Sequence, residues 1–211
     1  MKKFFLLSLT WSIALAAGIL FASPARAEEK PPAAASTEKA GMDETMMAKW
    51  QEYSTPAEGH KALEQFVGKW DHTVKWWMKP NSEPEVSTGQ SEIQWMLSGR
   101  FLKHEATGTS MGQPFEGLGI YGYDNAKKQY TSLWLDNMGT GIMKSFGQYD
   151  EAAKMFTETG KHTCPLSENN ERVYRGVTKF TDADHYTYEF YTLGEDGKEF
   201  RAMEITYSRA K

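Results

Sequence analysis

The segment from Pro114 to Asp150 reads P-F-E-G-L-G-I-Y-G-Y-D-N-A-K-K-Q-Y-T-S-L-W-L-D-N-M-G-T-G-I-M-K-S-F-G-Q-Y-D. Three extended stretches rich in aromatic and aliphatic residues are separated by turn chemistry at Asp124-Asn125 and Asn137–Gly139. Asn, Asp and Gly favour chain reversal because they tolerate left-handed backbone or bond to their own main chain. The interval from turn to turn is about 13 residues, and the rhythm continues to the C-terminus. Long antiparallel strands in such a meander must curl to hide their edges.

Working outward from this segment, the period-two pattern gives ten strands: about 69–78, 87–97, 100–109, 115–123, 129–136, 140–149, 154–162, 172–181, 185–193 and 198–208. Ser98-Gly99, Asp182-Ala183-Asp184 and Glu195-Asp196-Gly197 supply further tight links. No interval has the length or pattern of a crossover helix, so the pairing is antiparallel. The fold class expected is all-β: a ten-stranded antiparallel up-and-down barrel, with an open two-sheet sandwich as the alternative. Upstream, Met42 to Tyr53 forms a short helix with Met46, Met47, Trp50 and Tyr53 on one side. A second helix starts with Thr55 as N-cap, Pro56 at the first position and Glu58 three residues after the cap. It carries His60, Leu63, Phe66 and Val67 on one stripe and closes at Gly68. So short a helix needs a surface to pack on, and it is expected to cover one end of the barrel.

The front of the chain has a different character. Lys2 and Lys3 precede an apolar run from Phe4 to Ala22, and Ala25-Arg26-Ala27 offers small residues at signal-peptidase spacing. Residues 1–27 are therefore read as a signal peptide cleaved after Ala27, and 28–42, with its paired prolines, as a disordered linker. Residues 43–67 form the helical segment and 68–211 the barrel. The expected location is periplasmic or secreted, with no membrane insertion after cleavage. Loss of Lys2, Lys3 and Arg26 takes the net charge from −4 to −7, which argues against nucleic acid or anionic lipid as a partner. Cys164 is the single cysteine and can form no internal disulfide.

Motifs of specific chemistry are few. Gly117-Leu118-Gly119-Ile120-Tyr121-Gly122 spells G-x-G-x-x-G, but a turn follows it where a dinucleotide site needs a helix. Inside a strand, such glycines mark bends or close backbone approach. His60, His72, His104, His162 and His185 show no metal-ligand spacing, and neither metal nor cofactor is expected. Were one to act as an axial haem ligand, His104 or His162 is the choice. No nucleophile elbow is present. Glu105, Glu116, Asp136, Glu189 and Glu204 lie on otherwise apolar strands, and Glu105 or Asp136 is the preferred lumenal carboxylate.

Two resemblances add to this reading. Gly68-Lys69-Trp70 at the start of the first strand resembles the Gly-x-Trp signature of lipocalins and other calycins. That resemblance implies that Trp70 closes one barrel end beneath a cation from the final strand, here Arg209, with Gly68 beside it. From about Thr55 to Arg209 the chain resembles the bacterial family known as domain of unknown function 1579. Leu97-Ser98-Gly99-Arg100-Phe101, Pro114-Phe115-Glu116-Gly117, Gly122-Tyr123-Asp124-Asn125, Trp134-Leu135-Asp136, Gly139-Thr140-Gly141 and Gly197-Lys198-Glu199-Phe200 carry it. The family implies a calycin-like barrel and brings no established activity.

A barrel of ten strands has more interior than its own side chains readily fill. If Trp70 faces inward, alternation brings His72, Val74 and Trp76 with it, and Arg209 brings Tyr207, Ile205 and Met203. The candidate lumen is Trp76, Trp95, Glu105, Tyr121, Trp134, Asp136, Met203 and Tyr207. The expected partner is a small hydrophobic or aromatic molecule held non-covalently. An acid–base enzyme using the same cavity and a solid structural barrel are the competing readings.

Overall fold

The computed structural model describes residues 43–165, 167, 169–194 and 196–211. The expected signal peptide and linker, residues 1–42, lie outside the described residues. Ten strands follow the helical segment in sequence: β1 (Gly68–Trp76), β2 (Glu85–Met96), β3 (Phe101–Ser110), β4 (Gln113–Asp124) and β5 (Gln129–Asp136), then β6 (Met143–Asp150), β7 (Met155–Thr163), β8 (Glu171–Phe180), β9 (His185–Leu193) and β10 (Glu199–Arg209). Every strand pairs antiparallel with its neighbour in sequence, and β1 pairs with β10, so the sheet closes on itself. Closure leaves no edge strand, which removes the usual template for aggregation. A register shift in β10 between Arg201 and Met203 lets the main chain of Ala202 accept a bond from the Trp77 amide at 2.8 Å.

The helical segment divides into three. Helix α1 (Glu44–Ser54) is capped by Asp43, whose carboxylate accepts from the Met46 amide at 2.8 Å. Helix α2 (Glu58–Lys61) is followed directly by a 3₁₀ turn from Ala62 to Phe66. Thr55 does not cap the second helix as expected. It ends the first, donating from Oγ1 to the Gln51 carbonyl at 2.6 Å. The second helix begins at Glu58, where His60 Nδ1 accepts from the Ala57 amide at 3.1 Å. The α2–3₁₀ unit does the covering: His60 and Leu63 are buried, and Phe66 enters the barrel end. Its ring lies 4.9 Å from Phe180, 5.2 Å from Phe156 and 5.6 Å from Tyr186. Helix α1 buries nothing and leaves Met46, Met47, Trp50 and Tyr53 in solvent. It is tied down at its end by Asn125, whose amide donates to the Glu52, Tyr53 and Thr55 carbonyls.

The seam between first and last strands lies at the same end. Trp70 is fully buried, and the Arg209 guanidinium stacks over its indole at 4.2 Å. Arg209 also donates to the Val67 carbonyl at 3.0 Å, to the Ala183 carbonyl at 2.8 Å and to Asp184 Oδ1 at 3.1 Å. Trp70 Nε1 donates to the Phe66 carbonyl at 2.8 Å, locking the 3₁₀ turn onto the seam. Gly68 is required twice over, because its φ is +133° and a Cβ there would occupy the space of the Arg209 guanidinium.

Arg209→Ala removes the cation from the indole face and leaves the Val67 carbonyl without its donor. It should lower the unfolding free energy by about 2–3 kcal/mol in urea titration. Arg209→Lys, which lacks the planar fork, should recover less than half of that loss. An unchanged midpoint in the alanine variant would show that this clasp does not hold the end shut.

Candidate functional site

Inside the barrel, above the Phe66 plug, lies a cavity of about 460 Å³. It runs past mid-height to a rim marked by Glu85, Met111 and Met138, at the end opposite the helices. Its volume falls within the roughly 300–1,000 Å³ range of small-molecule sites. The lower layer is apolar and dense: Leu63, Trp70, Ile93, Leu102, Phe180 and Tyr186 form one buried cluster. A second, smaller cluster of Tyr174, Phe190 and Ala202 supports the upper wall.

Between plug and rim, polar side chains from successive strands form a belt. His72 (β1) bonds through Nδ1 to Ser91 Oγ (β2) at 3.0 Å, and Ser91 bonds to His104 Nε2 (β3) at 2.9 Å. His104 Nδ1 then meets the Tyr121 hydroxyl (β4) at 2.6 Å. A neutral imidazole has one donor and one acceptor nitrogen, so the sense of the His104 bond to Ser91 fixes the sense of its bond to Tyr121. Burial pulls the His104 pKa down to about 3, with the neighbouring His72 adding to the shift. His72 is lowered too, again by burial. Tyr121 is pushed well above the ordinary phenol range by burial, then by Tyr207 and Glu158.

The belt continues on the opposite wall. Ser132 (β5) and Ser145 (β6) lie 2.5 Å apart, and both reach Glu158 Oε2 (β7), at 2.9 and 2.5 Å. Tyr188 (β9) donates to Glu158 Oε1 at 3.1 Å. The Tyr174 phenol (β8) is raised to about 12 by burial and by Glu158. Three hydroxyls thus bond one carboxylate in the lumen wall.

Six of the sequence-predicted lumen residues, Trp76, Tyr121, Trp134, Asp136, Met203 and Tyr207, line this cavity. Trp76 stacks on Phe190 at 6.4 Å, and Tyr207 stacks on Tyr186 at 4.2 Å with planes 10° apart. Trp134 stacks on Phe115 and lies across Gly117, where a Cβ would run into its six-membered ring. Asp136 fixes that indole by accepting from Trp134 Nε1 at 2.8 Å and caps the turn by accepting from the Met138 amide at 3.0 Å.

Two residues require correction. Glu105 is exposed on the outer surface, 2.7 Å from Lys103, because Leu102, His104 and Ala106 take the inward positions of β3. Trp95 has inward parity but stands beyond the cavity at the helical end, where Nε1 donates to Glu64 at 2.6 Å. The lumenal carboxylates missed by the sequence reading are Glu85 at the rim and Glu158 in the belt. The strand of Glu158, M-F-T-E-T-G-K-H-T, has too few apolar residues to reveal which face is inward. Of the two histidines considered as axial ligands, His104 has both ring nitrogens engaged. His162 lines the cavity with Nδ1 against the Thr163 carbonyl at 3.2 Å, and its buried Nε2 has no partner among the described residues. Among the described residues, no group of three or more His, Cys, Asp or Glu is placed to hold a metal ion.

The buried imidazole makes stability depend on acid. Between its folded value of about 3 and its ordinary value of 6.5, His104 binds more protons unfolded than folded. Its contribution is therefore fully present above 6.5 and is lost as pH falls toward 3, at up to about 1.4 kcal/mol per pH unit. The melting temperature should fall by roughly 3–6 °C per unit through this window, and less steeply in His104→Gln. Parallel slopes for parent and variant would contradict a neutral, buried His104.

Among solved structures, the crystal structure of Rv2717c from M. tuberculosis aligns with a TM-score of 0.55 at 13% identity, covering 74% of this chain and all of that one. The redesigned β barrel mFAP1, bound to DFHBI, aligns with a TM-score of 0.37 at 17% identity over 70% of this chain and 98% of that one. No curated protein matches the chain. The first likeness concerns the barrel fold. Residues 55–209 match the family described as protein of unknown function (DUF1579), and the chain belongs to that family.

Proposed function

We propose that this chain is an exported binding protein that holds a small hydrophobic or aromatic molecule in its barrel. The observation that carries the reading is the cavity of about 460 Å³, walled by Trp76, Trp134, Tyr174, Tyr188, Phe190 and Tyr207. These rings offer large apolar area with few rotatable bonds, so little conformational freedom is lost when a guest enters. Holding is favoured over acid–base catalysis by the titration of the belt. An imidazole with a pKa of about 3 is a weak base at neutral pH, and a phenol raised as far as Tyr121 is a weak acid. The export half of the reading rests on Lys2, Lys3, the apolar run after them and Ala25-Arg26-Ala27.

Purified protein should carry a non-covalent guest in native mass spectrometry, recoverable by solvent extraction. Guest-free protein should take up the neutral probe N-phenyl-1-naphthylamine with quenching of tryptophan emission. Ala106 faces the cavity and is buried, so Ala106→Phe should reduce uptake at least tenfold for about 1–3 kcal/mol of stability. Absence of both guest and uptake would overturn the binding reading. In cells, the mature chain should begin at Glu28 in the exported fraction, read by intact mass; a full-length chain retained in the cytoplasm would overturn the export reading.

A further inference from the structure

Resting on that binding reading, we propose that the barrel selects guests bearing an ammonium or other cationic nitrogen on an apolar body, with Glu158 as the counter-charge. The charged lining of the cavity is of one sign. Glu85 and Asp136 stand toward the rim and Glu158 in the belt, whereas no Lys or Arg among the described residues lines it. The cations on the flanking strands are spent outside the lumen: Arg175 pairs with Glu199, and Arg201 with Glu189 and Glu204.

Among the described residues, Glu158 itself has no cationic partner. Its protein contacts are the hydroxyls of Ser132, Ser145 and Tyr188, all neutral. Hydroxyl donors orient a carboxylate and satisfy its lone pairs, yet they bring it no opposite charge. A guest carrying positive charge supplies one, and a guest carboxylate does not. The three imidazoles lining the cavity do not reverse the sign. Burial lowers the pKa of His72, His104 and His162, so all three are neutral near pH 7.

Two further features suit a nitrogen cation. The Tyr174 and Tyr188 rings lie in the same wall, and aromatic faces attract ammonium groups. Two residues beyond Gly160 on the same strand face, His162 has a buried Nε2 with no hydrogen-bond partner among the described residues. With Nδ1–H donating to the Thr163 carbonyl, Nε2 is left as an acceptor, suited to an N–H group of the guest and not to a carboxylate. A fatty-acid carrier presents the opposite arrangement at its anionic headgroup, since a carboxylate needs donors or cations around it.

The test is a matched series on guest-free wild-type protein at pH 7.5 and low salt: 1-naphthylmethylammonium, 1-naphthylmethanol and 1-naphthoate, followed by tryptophan quenching and calorimetry. The ammonium should bind at least tenfold more tightly than the alcohol, and the carboxylate most weakly. In Glu158→Gln the ratio of ammonium to alcohol affinity should fall to near one. Equal binding of alcohol and ammonium, or preference for the carboxylate, overturns the charge selection and leaves the cavity reading standing. Exclusion of all three together with N-phenyl-1-naphthylamine overturns both. The wild-type series stands without the variant, so a poorly folded Glu158→Gln does not rescue the proposal.

Discussion

Pairing of β1 with β10, from Trp70 opposite Arg209 to Trp76 opposite Met203, is the contact on which the rest of this structure depends. Without it the sheet would be open, and the rings lining the lumen would have no facing wall. The seam is also where chain entry and chain end meet. Trp70 receives the cation of Arg209 on one side and holds the Phe66 carbonyl through its indole N–H. Closure of the sheet and closure of the barrel end are therefore one event, because the same two side chains do both.

Once the tube is closed, its interior sorts into layers by what each can bury. The end beneath Phe66 is filled with rings and branched aliphatics, which need only close packing. The middle carries polar groups, and each must find a partner there because water is scarce. His72, Ser91, His104 and Tyr121 solve this as a chain, and Ser132, Ser145, Glu158 and Tyr188 solve it around a carboxylate. The layer toward the rim is left underfilled. That ordering explains why the cavity, which starts above Phe66 and has the belt in its wall, opens toward the end away from the helices.

The ten strands were legible because alternation and turn chemistry recur in step along the chain, and their bounds agree with the structure to within three residues. Trp70 and Arg209 were legible because they sit at both ends of that meander. For the carboxylates, parity decides. Leu102, His104 and Ala106 already identify the inward face of β3, and that places Glu105 outside. On β7 no such guide exists: Met155 and Phe156 put one large apolar residue on each face, and only pairing with β6 and β8 fixes Glu158 inside. Trp95 shows a different limit. Alternation gives a side chain's face but not its height, and this one lies past the cavity's end, against Glu64.

Fold likeness at 13% identity leaves the choice of guest to the side chains in the lumen. Those side chains form a consistent set. Strongly perturbed histidines and tyrosines often mark catalysis, because reactions need groups that titrate near neutral pH. Here the shifts run the other way: burial drives His104 toward 3 and the belt phenols upward, so each is fixed in its neutral form at neutral pH. The histidines and tyrosines of the belt are thereby donors and acceptors for one another rather than groups that titrate near neutral pH. Against that background Glu158, held by the hydroxyls of Ser132, Ser145 and Tyr188, pairs with no Lys or Arg among the described residues.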